Sequence, residues 1–330
     1  MSRIAVIGDA LLDVYYDVEP AEWDAGIEAP AYQIVAGHTC LGGAANVAAA
    51  VSAAGGSASL YAVLGRDEAS AEVDKLLQAW AIDRSGIVVS DMHATRVLSR
   101  LMGEGASLPL RFDYWGTAPM GHKVSRRPQR DKAWLGIPKQ AVVGHNGVIV
   151  ADYGGLLSQR AADNLIKDCR QLNVPVFVDP SRGKLEWYRG CDIVKINLNE
   201  IEAMYGETYR TIGELRSAAE DLRRACGARV AVITLGERGA IAVNEAGQVV
   251  MPNYAARSVL NTTGGGDAFA AGFMLSYCTQ RDLEASVMAA LEIANRAVST
   301  QCTCPTRETT VEATSTIDPG LLDYRFLDRN

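Results

Sequence analysis

Asn261-Thr262-Thr263-Gly264-Gly265-Gly266-Asp267-Ala268-Phe269-Ala270-Ala271-Gly272 is the stretch on which the reading of this chain turns. Three consecutive glycines run into an aspartate, and a small-residue, apolar run follows that reads as the start of a buried helix. Glycine lets backbone approach a ligand closely and accepts dihedrals that other residues do not. A helix N-terminus directs unbonded N–H groups outward and carries a partial positive charge. Together they make an anion cradle suited to a phosphoryl group. An aspartate at its mouth can accept a proton from an attacking hydroxyl. Taken alone, the segment also reads as a glycine-rich turn capping a core helix, with Asp267 merely near its start.

Working outward, short apolar runs alternate with longer helical patterns. Strands are expected at Ile4–Ile7, Ser59–Leu64, Gly147–Ala151, Val174–Asp179, Ile193–Ile196 and Val230–Thr234. Helices are expected at Gly43–Ala54, Glu68–Trp80, Ser158–Leu172, Asn199–Tyr205, Ile212–Ala225, Asp267–Tyr277 and Leu283–Thr300. Strands apolar throughout and separated by helices indicate an α/β fold, with a mainly parallel sheet covered on both faces. Ligands of such sheets sit at the carboxyl ends of the strands. Two stretches, about 13–41 and 90–123, break the alternation with extended aromatic segments of alternating polarity. They read as a small β lid over the main sheet, because long structureless loops are uncommon in compact domains. The alternative is two irregular surface excursions.

The 330 residues are 48% hydrophobic and 22% charged, with a net charge of −7 and no long basic block, which argues against nucleic acid as a partner. The apolar run Ile4–Ile7 is too short for the core of a signal peptide and ends at Asp9, and no run approaches the roughly 18 apolar residues of a membrane span. A cytoplasmic location without membrane association is expected. Seven scattered cysteines do not form a disulfide framework. The Cys302-x-Cys304 pair lacks nearby partners for a zinc site, since the four histidines lie far away in sequence.

Several smaller motifs could carry chemistry. Asp9 and Asp13 follow the first strand; Asp9 reads as a turn former, and Asp13 as an acceptor for a polyol. Gly42-Gly43 opens a small apolar helix with Asn46 in its first turn, where an amide is costly unless satisfied, so a sugar hydroxyl is a reasonable partner. Neither G-x-G-x-x-G nor G-x-x-x-x-G-K-[ST] is present, which excludes dinucleotide and P-loop templates. Asn197-Leu198-Asn199-Glu200 reads as a helix cap or as ligands for hydrated magnesium, which takes few protein ligands. Thr234-Leu235-Gly236-Glu237-Arg238-Gly239 reads as a hairpin turn or as a turn lying along a nucleotide.

In order and combination, Gly42-Gly43 with Asn46, Gly65-Arg66-Asp67, Asn197-x-x-Glu200, Thr234-Leu235-Gly236 and Thr263-Gly264-Gly265-Gly266-Asp267 resemble the ribokinase-like (PfkB) carbohydrate kinases over essentially the whole chain. The resemblance implies one kinase domain over 1–330, a parallel central sheet with a β lid, ATP, Mg2+ and phosphorylation of a sugar hydroxyl. It implies Asp267 as base and the N–H groups of Gly264, Gly265 and Gly266 as anion hole. Sugar contacts fall to Asp13, Gly42, Gly43 and Asn46, magnesium and phosphate to Asn197 and Glu200, and the nucleotide to Thr234, Gly236, Gly239 and Asn295. Lid-to-lid homodimers are common in the family.

Within the family, Gly8-Asp9-x-x-Leu12-Asp13, Arg96-Val97-Leu98-Ser99-Arg100, Leu110-Arg111-Phe112-Asp113, Ala151-Asp152-Tyr153, Asp179-Pro180 and Glu186-x-Tyr188-Arg189-Gly190 are most similar to the D-glycero-β-D-manno-heptose 7-phosphate kinases of ADP-heptose synthesis. These add phosphate to the anomeric hydroxyl. A substrate already bearing phosphate calls for arginines, and Arg96, Arg100 and Arg111 are the candidates, with exposed lid charge as the alternative. Three departures stand out. Asn261 replaces the family's usual Asp, which often helps hold a monovalent cation, and so leaves potassium dependence open; Gly265 replaces its usual Ala. Asp113-Tyr114-Trp115-Gly116 lacks the acidic continuation typical of heptose kinases. No H-x-G-H nucleotidyltransferase signature follows, so nucleotidyl transfer is expected from another protein. Other sugars or nucleosides such as fructose, ribose and adenosine, or a retired kinase fold serving as a sensor, are the competing readings.

Overall fold

The computed structural model describes residues 1–23, 25–26, 28, 30–103, 110–115, 139–181, 183–252 and 263–300. Thirteen strands among them form two sheets. The larger has nine: β1 (Arg3–Gly8), β4 (Ser57–Gly65), β5 (Asp83–Ser90), β8 (Gly147–Ala151), β9 (Val176–Asp179), β10 (Ile193–Asn197), β11 (Val230–Thr234), β12 (Ala240–Asn244) and β13 (Val249–Val250). Its order is β13-β12-β11-β10-β9-β8-β1-β4-β5, parallel from β11 through β5, with β12 and β13 added antiparallel at one edge. The smaller sheet takes β2 (Ala10–Pro20), β3 (Tyr32–Gly43), β6 (Arg96–Gly103) and β7 (Arg111–Trp115) in the order β3-β2-β6-β7.

The central strands are apolar end to end because both sheet faces are covered. One face carries α1 (Ala44–Ala53), α2 (Glu68–Ala79), α6 (Gly265–Gln280) and α7 (Leu283–Val298). The other carries α3 (Gln159–Gln171), α4 (Leu198–Tyr205) and α5 (Ile212–Cys226). The alanine and glycine content of α1, α6 and α7 allows close helix contact. At Gly272 a Cβ would come within 2.7 Å of the Ala289 carbonyl oxygen, so α6 and α7 meet backbone to backbone. The more exposed α2, α3 and α5 start with side-chain caps from Asp67, Ser158 and Thr211, as α7 does from Asp282, while α1 and α6 start on glycine without one.

Two elements were not read from the sequence. Strand β5 is an edge strand, half exposed and carrying Gly86, so it lacks the continuous apolar run. The β12–β13 hairpin follows β11 through a turn whose hairpin reading was one of the two open ones. Helix α6 also starts two residues earlier than expected, at Gly265 rather than Asp267, which changes the geometry of the glycine run.

Candidate active site

Parallel register aligns the carboxyl ends of the main strands: Gly8 lies beside Ala151, Ala151 beside Asp179, and Asn197 beside Thr234. The next residues along the chain therefore form a row of polar side chains at one sheet edge. Above it the small sheet supplies a second wall. Between them lies a cleft of about 360 Å3, lined by Leu11, Asp13, Leu98 and Arg100 from the small sheet, and by Asp152, Tyr153, Asp179, Lys195, Asn197, Glu200, Gly264, Gly266 and Asp267 from the main sheet and its helices.

Gly264 is the N-cap of α6 and has φ 84°, a left-handed conformation that favours glycine. Gly265, Gly266 and Asp267 form the first turn, so their N–H groups have no intrahelical acceptor. The first helical bond runs from the Ala268 N–H to the Gly264 carbonyl at 2.9 Å. At Gly266 a Cβ would stand 3.1 Å from Lys195 Nζ, so the missing side chain brings an ammonium up against the N–H cradle. Main-chain donors, a helix N-terminus and a lysine converge there.

Asp267 is buried, and both its oxygens are engaged. Asn46 Nδ2 donates to Oδ2 at 2.8 Å, and the Tyr153 hydroxyl donates to Oδ1 at 2.7 Å. Asn46, expected to meet a sugar hydroxyl, therefore uses its amide within the protein to hold this carboxylate. Burial pushes the Asp267 carboxyl up, against the two hydrogen bonds and the Lys195 charge, while Asp13 adds to the upward push. A raised carboxylate in a cleft is a better proton acceptor than a free one.

Lys195, inside β10, and Asp179, at the end of the neighbouring β9, form a largely buried ion pair. Burial opposes the lysine's charge, but Asp179 outweighs it and the ammonium is held above its usual range. Asp179 itself is raised to about 6, by burial first, with Lys195 opposing. Asp9 is likewise raised to about 6, by burial and then by Asp152. It accepts the Tyr153 and Gly155 N–H groups at 2.8 and 3.3 Å, so the turn reading of Asp9 becomes a tie between two strand ends. Asp152 accepts from the Tyr188 hydroxyl at 2.7 Å, Lys184 at 3.2 Å and the Gly154 N–H at 2.8 Å.

The lid arginines divide. Arg100 lines the cleft, donates to Asp13 at 2.7 Å and lies 5.3 Å from the centre of the Tyr15 ring. Asp13 is buried and raised by that burial, which outweighs the three arginines near it. Arg96 and Arg111 stand outside the cleft lining and share Asp113: Arg96 reaches it at 2.9 Å, and Arg111 grips it with two bonds of 2.6 and 2.7 Å. Those bonds hold the Asp113 carboxyl down at about 2. The three-arginine clamp is thus reduced to one arginine in the cleft, because β7 supplies its own carboxylate to the other two.

The remaining sequence candidates fall as follows. Gly43 lines the cleft with φ 57°, where the chain passes from β3 into α1; a Cβ there would meet the Asp9 carbonyl oxygen at 2.3 Å. Gly42 packs against Leu11 and Asp13. Asn197 and Glu200 line the cleft and form a reciprocal capping box at the start of α4, each side chain accepting the other's N–H at 2.9 Å. Among the described residues no three metal-ligating side chains converge, and one oxygen each of Asn197 and Glu200 is committed to the cap. Thr234, Gly236 and Gly239 form the β11–β12 hairpin turn, beside Asn197 but outside the cleft lining. Asn295 is buried in α7, with no hydrogen-bond partner for its side-chain oxygen among the described residues. Asn261, with the cation question it carries, and Cys302 and Cys304 lie outside the described residues.

Lys195 was not singled out from the sequence, and Asp152, Tyr153 and Asp179 entered only as part of a resemblance. Asp179 ends β9, and Asp152 and Tyr153 stand one and two residues past β8, so the strand-end rule could have found those three; Lys195 lies inside β10, a lysine within an apolar strand.

An α/β sheet with a polar strand-end row, a glycine-opened helix aimed into it and a β lid above defines a ribokinase-like fold. Solved structures agree: ribokinase from Arabidopsis thaliana, complexed with ribose and ATP, covers 93% of this chain and 97% of its own at TM-score 0.72 and 18% identity. Phosphofructokinase-2 from Escherichia coli, in complex with substrates and products, covers 93% and 95% at TM-score 0.72 and 17% identity. The pfkB family carbohydrate kinase model matches residues 1–310, and the chain belongs to that family. Among curated relatives, a bifunctional protein HldE of Azorhizobium caulinodans is 31% identical over 293 residues, and one of Coxiella burnetii is 31% identical over 293 residues. The chain spans 59% of the length of each. A D-beta-D-heptose 7-phosphate kinase of Bordetella bronchiseptica is 28% identical over 81% of both chains.

Proposed function

We propose that this chain is an ATP-dependent sugar kinase that phosphorylates the anomeric hydroxyl of D-glycero-β-D-manno-heptose 7-phosphate. The observation that carries the reading is Asp267, buried, raised and facing the lid across the cleft, on the first turn of the glycine-opened helix. The relatives named for heptose 7-phosphate kinase activity and HldE support the choice of sugar. Asp267 takes the proton of the attacking hydroxyl as it advances on the γ-phosphate. The N–H groups of Gly264, Gly265 and Gly266, with Lys195, meet the charge that develops on the transferred group. Asp13 and Gly43 orient the sugar hydroxyls, and Arg100 exchanges Asp13 for the substrate's own phosphate. The nucleotide runs along the Thr234–Gly239 turn toward Asn295. Asn197 and Glu200 would hold magnesium, Glu200 through the carboxylate oxygen that the cap leaves over. Magnesium, when bound, supplies further charge neutralisation.

The lid sheet exposes Tyr32, Ile34, Val35 and Phe112, an apolar surface consistent with a homodimer through the lid, which light scattering at working concentration tests. No described helix is long and apolar enough to cross a membrane, and we place the enzyme in the cytoplasm.

One observation favours a second reading within the family. Arg96 and Arg111 both pair with Asp113, which leaves Arg100 as the arginine lining the cleft among the described residues and suits a phosphate-free sugar better. ADP release with ATP and magnesium tests both readings, using heptose 7-phosphate, sedoheptulose 7-phosphate, fructose, ribose and adenosine. Selective turnover of the heptose phosphate is expected. Preference for an unphosphorylated sugar or nucleoside would replace the substrate, and no turnover with any would favour a ligand-binding sensor.

A further inference from the structure

We propose that Tyr153 is the positioning residue of Asp267: its phenol holds the carboxylate in one orientation and in its ionised state. The inference rests on the reading of Asp267 as the base. Tyr153 lies on the loop after β8; the residue is 41% exposed while its hydroxyl reaches Asp267 Oδ1 at 2.7 Å. An exposed aromatic edge with an inward hydroxyl is unusual for a residue that serves packing alone. The loop is fixed from beneath by two carboxylates. Asp9 accepts the N–H groups of Tyr153 and Gly155, and Asp152 accepts that of Gly154. Gly155 permits this, since a Cβ there would stand 2.5 Å from Asp9 Oδ1. Three successive N–H groups are thus tied to buried carboxylates, and the tie aims the phenol.

The two donors on Asp267 act on different oxygens, Asn46 on Oδ2 and Tyr153 on Oδ1, so together they stop rotation about the carboxyl bond. The charged groups facing Asp267 come from β10 (Lys195, held by Asp179 of β9) and from β2 (Asp13, held by Arg100 of β6). Lys195 favours the carboxylate and Asp13 opposes it. With the lysine already shared with Asp179, the two neutral donors are the strongest groups favouring the carboxylate against its burial. Burial and the nearby Asp267 hold the Tyr153 phenol well above its ordinary range, so it remains a donor at neutral pH.

The test reads the carboxyl directly, on the full chain and without substrate. Aspartate is labelled with 13C at the side-chain carboxyl, the Asp267 resonance is assigned by its loss in Asp267→Asn, and its titration is compared between wild type and Tyr153→Phe. The expected result is an upward shift of about one pH unit in Tyr153→Phe. The acid limb of kcat should move the same way while KM for the sugar stays within twofold. An Asp267 resonance titrating at the same pH in both proteins would overturn the proposal. Should Tyr153→Phe fail to fold, Gly155→Ala displaces the loop with the phenol intact, and the same shift or its absence decides. Because the titration needs no turnover, a wild type inactive on every sugar would remove the kinase reading alone.

Discussion

The sheet-side wall of the cleft and its lid-side wall both carry charge, yet they hold it differently. On the sheet side Asp267 and Lys195 are buried, Asp179 nearly so, and each is tied to partners on other elements. On the lid side Asp13 and Arg100 line the cleft as a largely buried pair, while Arg96, Arg111 and Asp113, outside the lining, are more exposed and satisfy one another within two neighbouring strands. Charges on the first wall cannot be lost without leaving a buried ion uncompensated, whereas those of the Asp113 cluster can be exchanged for a ligand's at little cost. The difference separates two tasks. Phosphoryl transfer needs fixed groups, and sugar choice is set by groups free to change partners.

The strongest challenge to this contrast is Asp267→Asn. It keeps the shape and the Tyr153 hydrogen bond but removes the proton acceptor and turns an amide N–H toward the Asn46 donor, so kcat is expected to fall by about 10²–10⁴-fold with a modest fall in melting temperature. Unchanged turnover would move the base elsewhere. Next in size is Arg100→Ala. It removes the one arginine in the cleft and leaves Asp13 unpaired, and it should raise KM for a phosphorylated sugar by about tenfold to a hundredfold, the worth of a charge-assisted hydrogen bond. Arg111→Ala, measured alongside, should stay within about threefold, as exposed pairs do. A larger loss at Arg111 than at Arg100 would reverse the assignment of the two.

The walls should also differ in their response to pH. Asp9, beneath the sheet-side wall, is raised from 3.8 to about 6. The folded protein therefore holds that proton more tightly than the unfolded chain does. The stability this confers is complete below about pH 4 and is lost as pH rises toward and through about 6, by up to about 3 kcal/mol. Asp113 on the lid goes the other way: held down at about 2, its contribution is present above its unfolded value and is lost as pH falls through 2. Urea midpoints between about pH 4 and 7 should show the first effect, and Asp9→Asn should flatten the profile. A profile unaltered by that substitution would place the titrating group elsewhere. The smallest expected effect is Asp113→Asn, which frees Arg96 and Arg111: stability should change by less than about 1 kcal/mol, with a few-fold lower KM for a phosphorylated sugar.

Much of this architecture was legible in sequence because burial on both faces writes itself into composition. β1, β8 and β11 are apolar runs, and the small-residue helices α1 and α6 announce close packing. The edges were not legible: β5 is half polar because one side meets solvent, and β13 is two residues long. For the site, local motifs placed Asp267, Gly264, Gly266, Asn197 and Glu200 at the cleft, since each belongs to a helix start with its own spacing rule. Tyr153, Lys195 and Asp179 have no such local signature; strand register alone brings them together. For Arg96 and Arg111 the sequence does not reveal that one carboxylate, Asp113 of β7, pairs with both outside the cleft lining.

The chain enters β2 from β1 through Asp9 alone and leaves β3 directly into α1, and a bond of 2.9 Å from the Ala44 N–H to the Asp9 carbonyl continues the β2–β3 ladder across these two crossings. In mechanical terms the β2–β3 pair is a lever with its pin at this crossing. β2 has 11 residues, so its far end lies about 36 Å from the pin while Asp13 lies only about 13 Å out. A rotation of about ten degrees would sweep the tip through about 6 Å and Asp13 through about 2 Å, with almost no travel at Ala44. Asn46, two residues past the pin on α1, thus keeps its hold on Asp267 while the arginine wall swings.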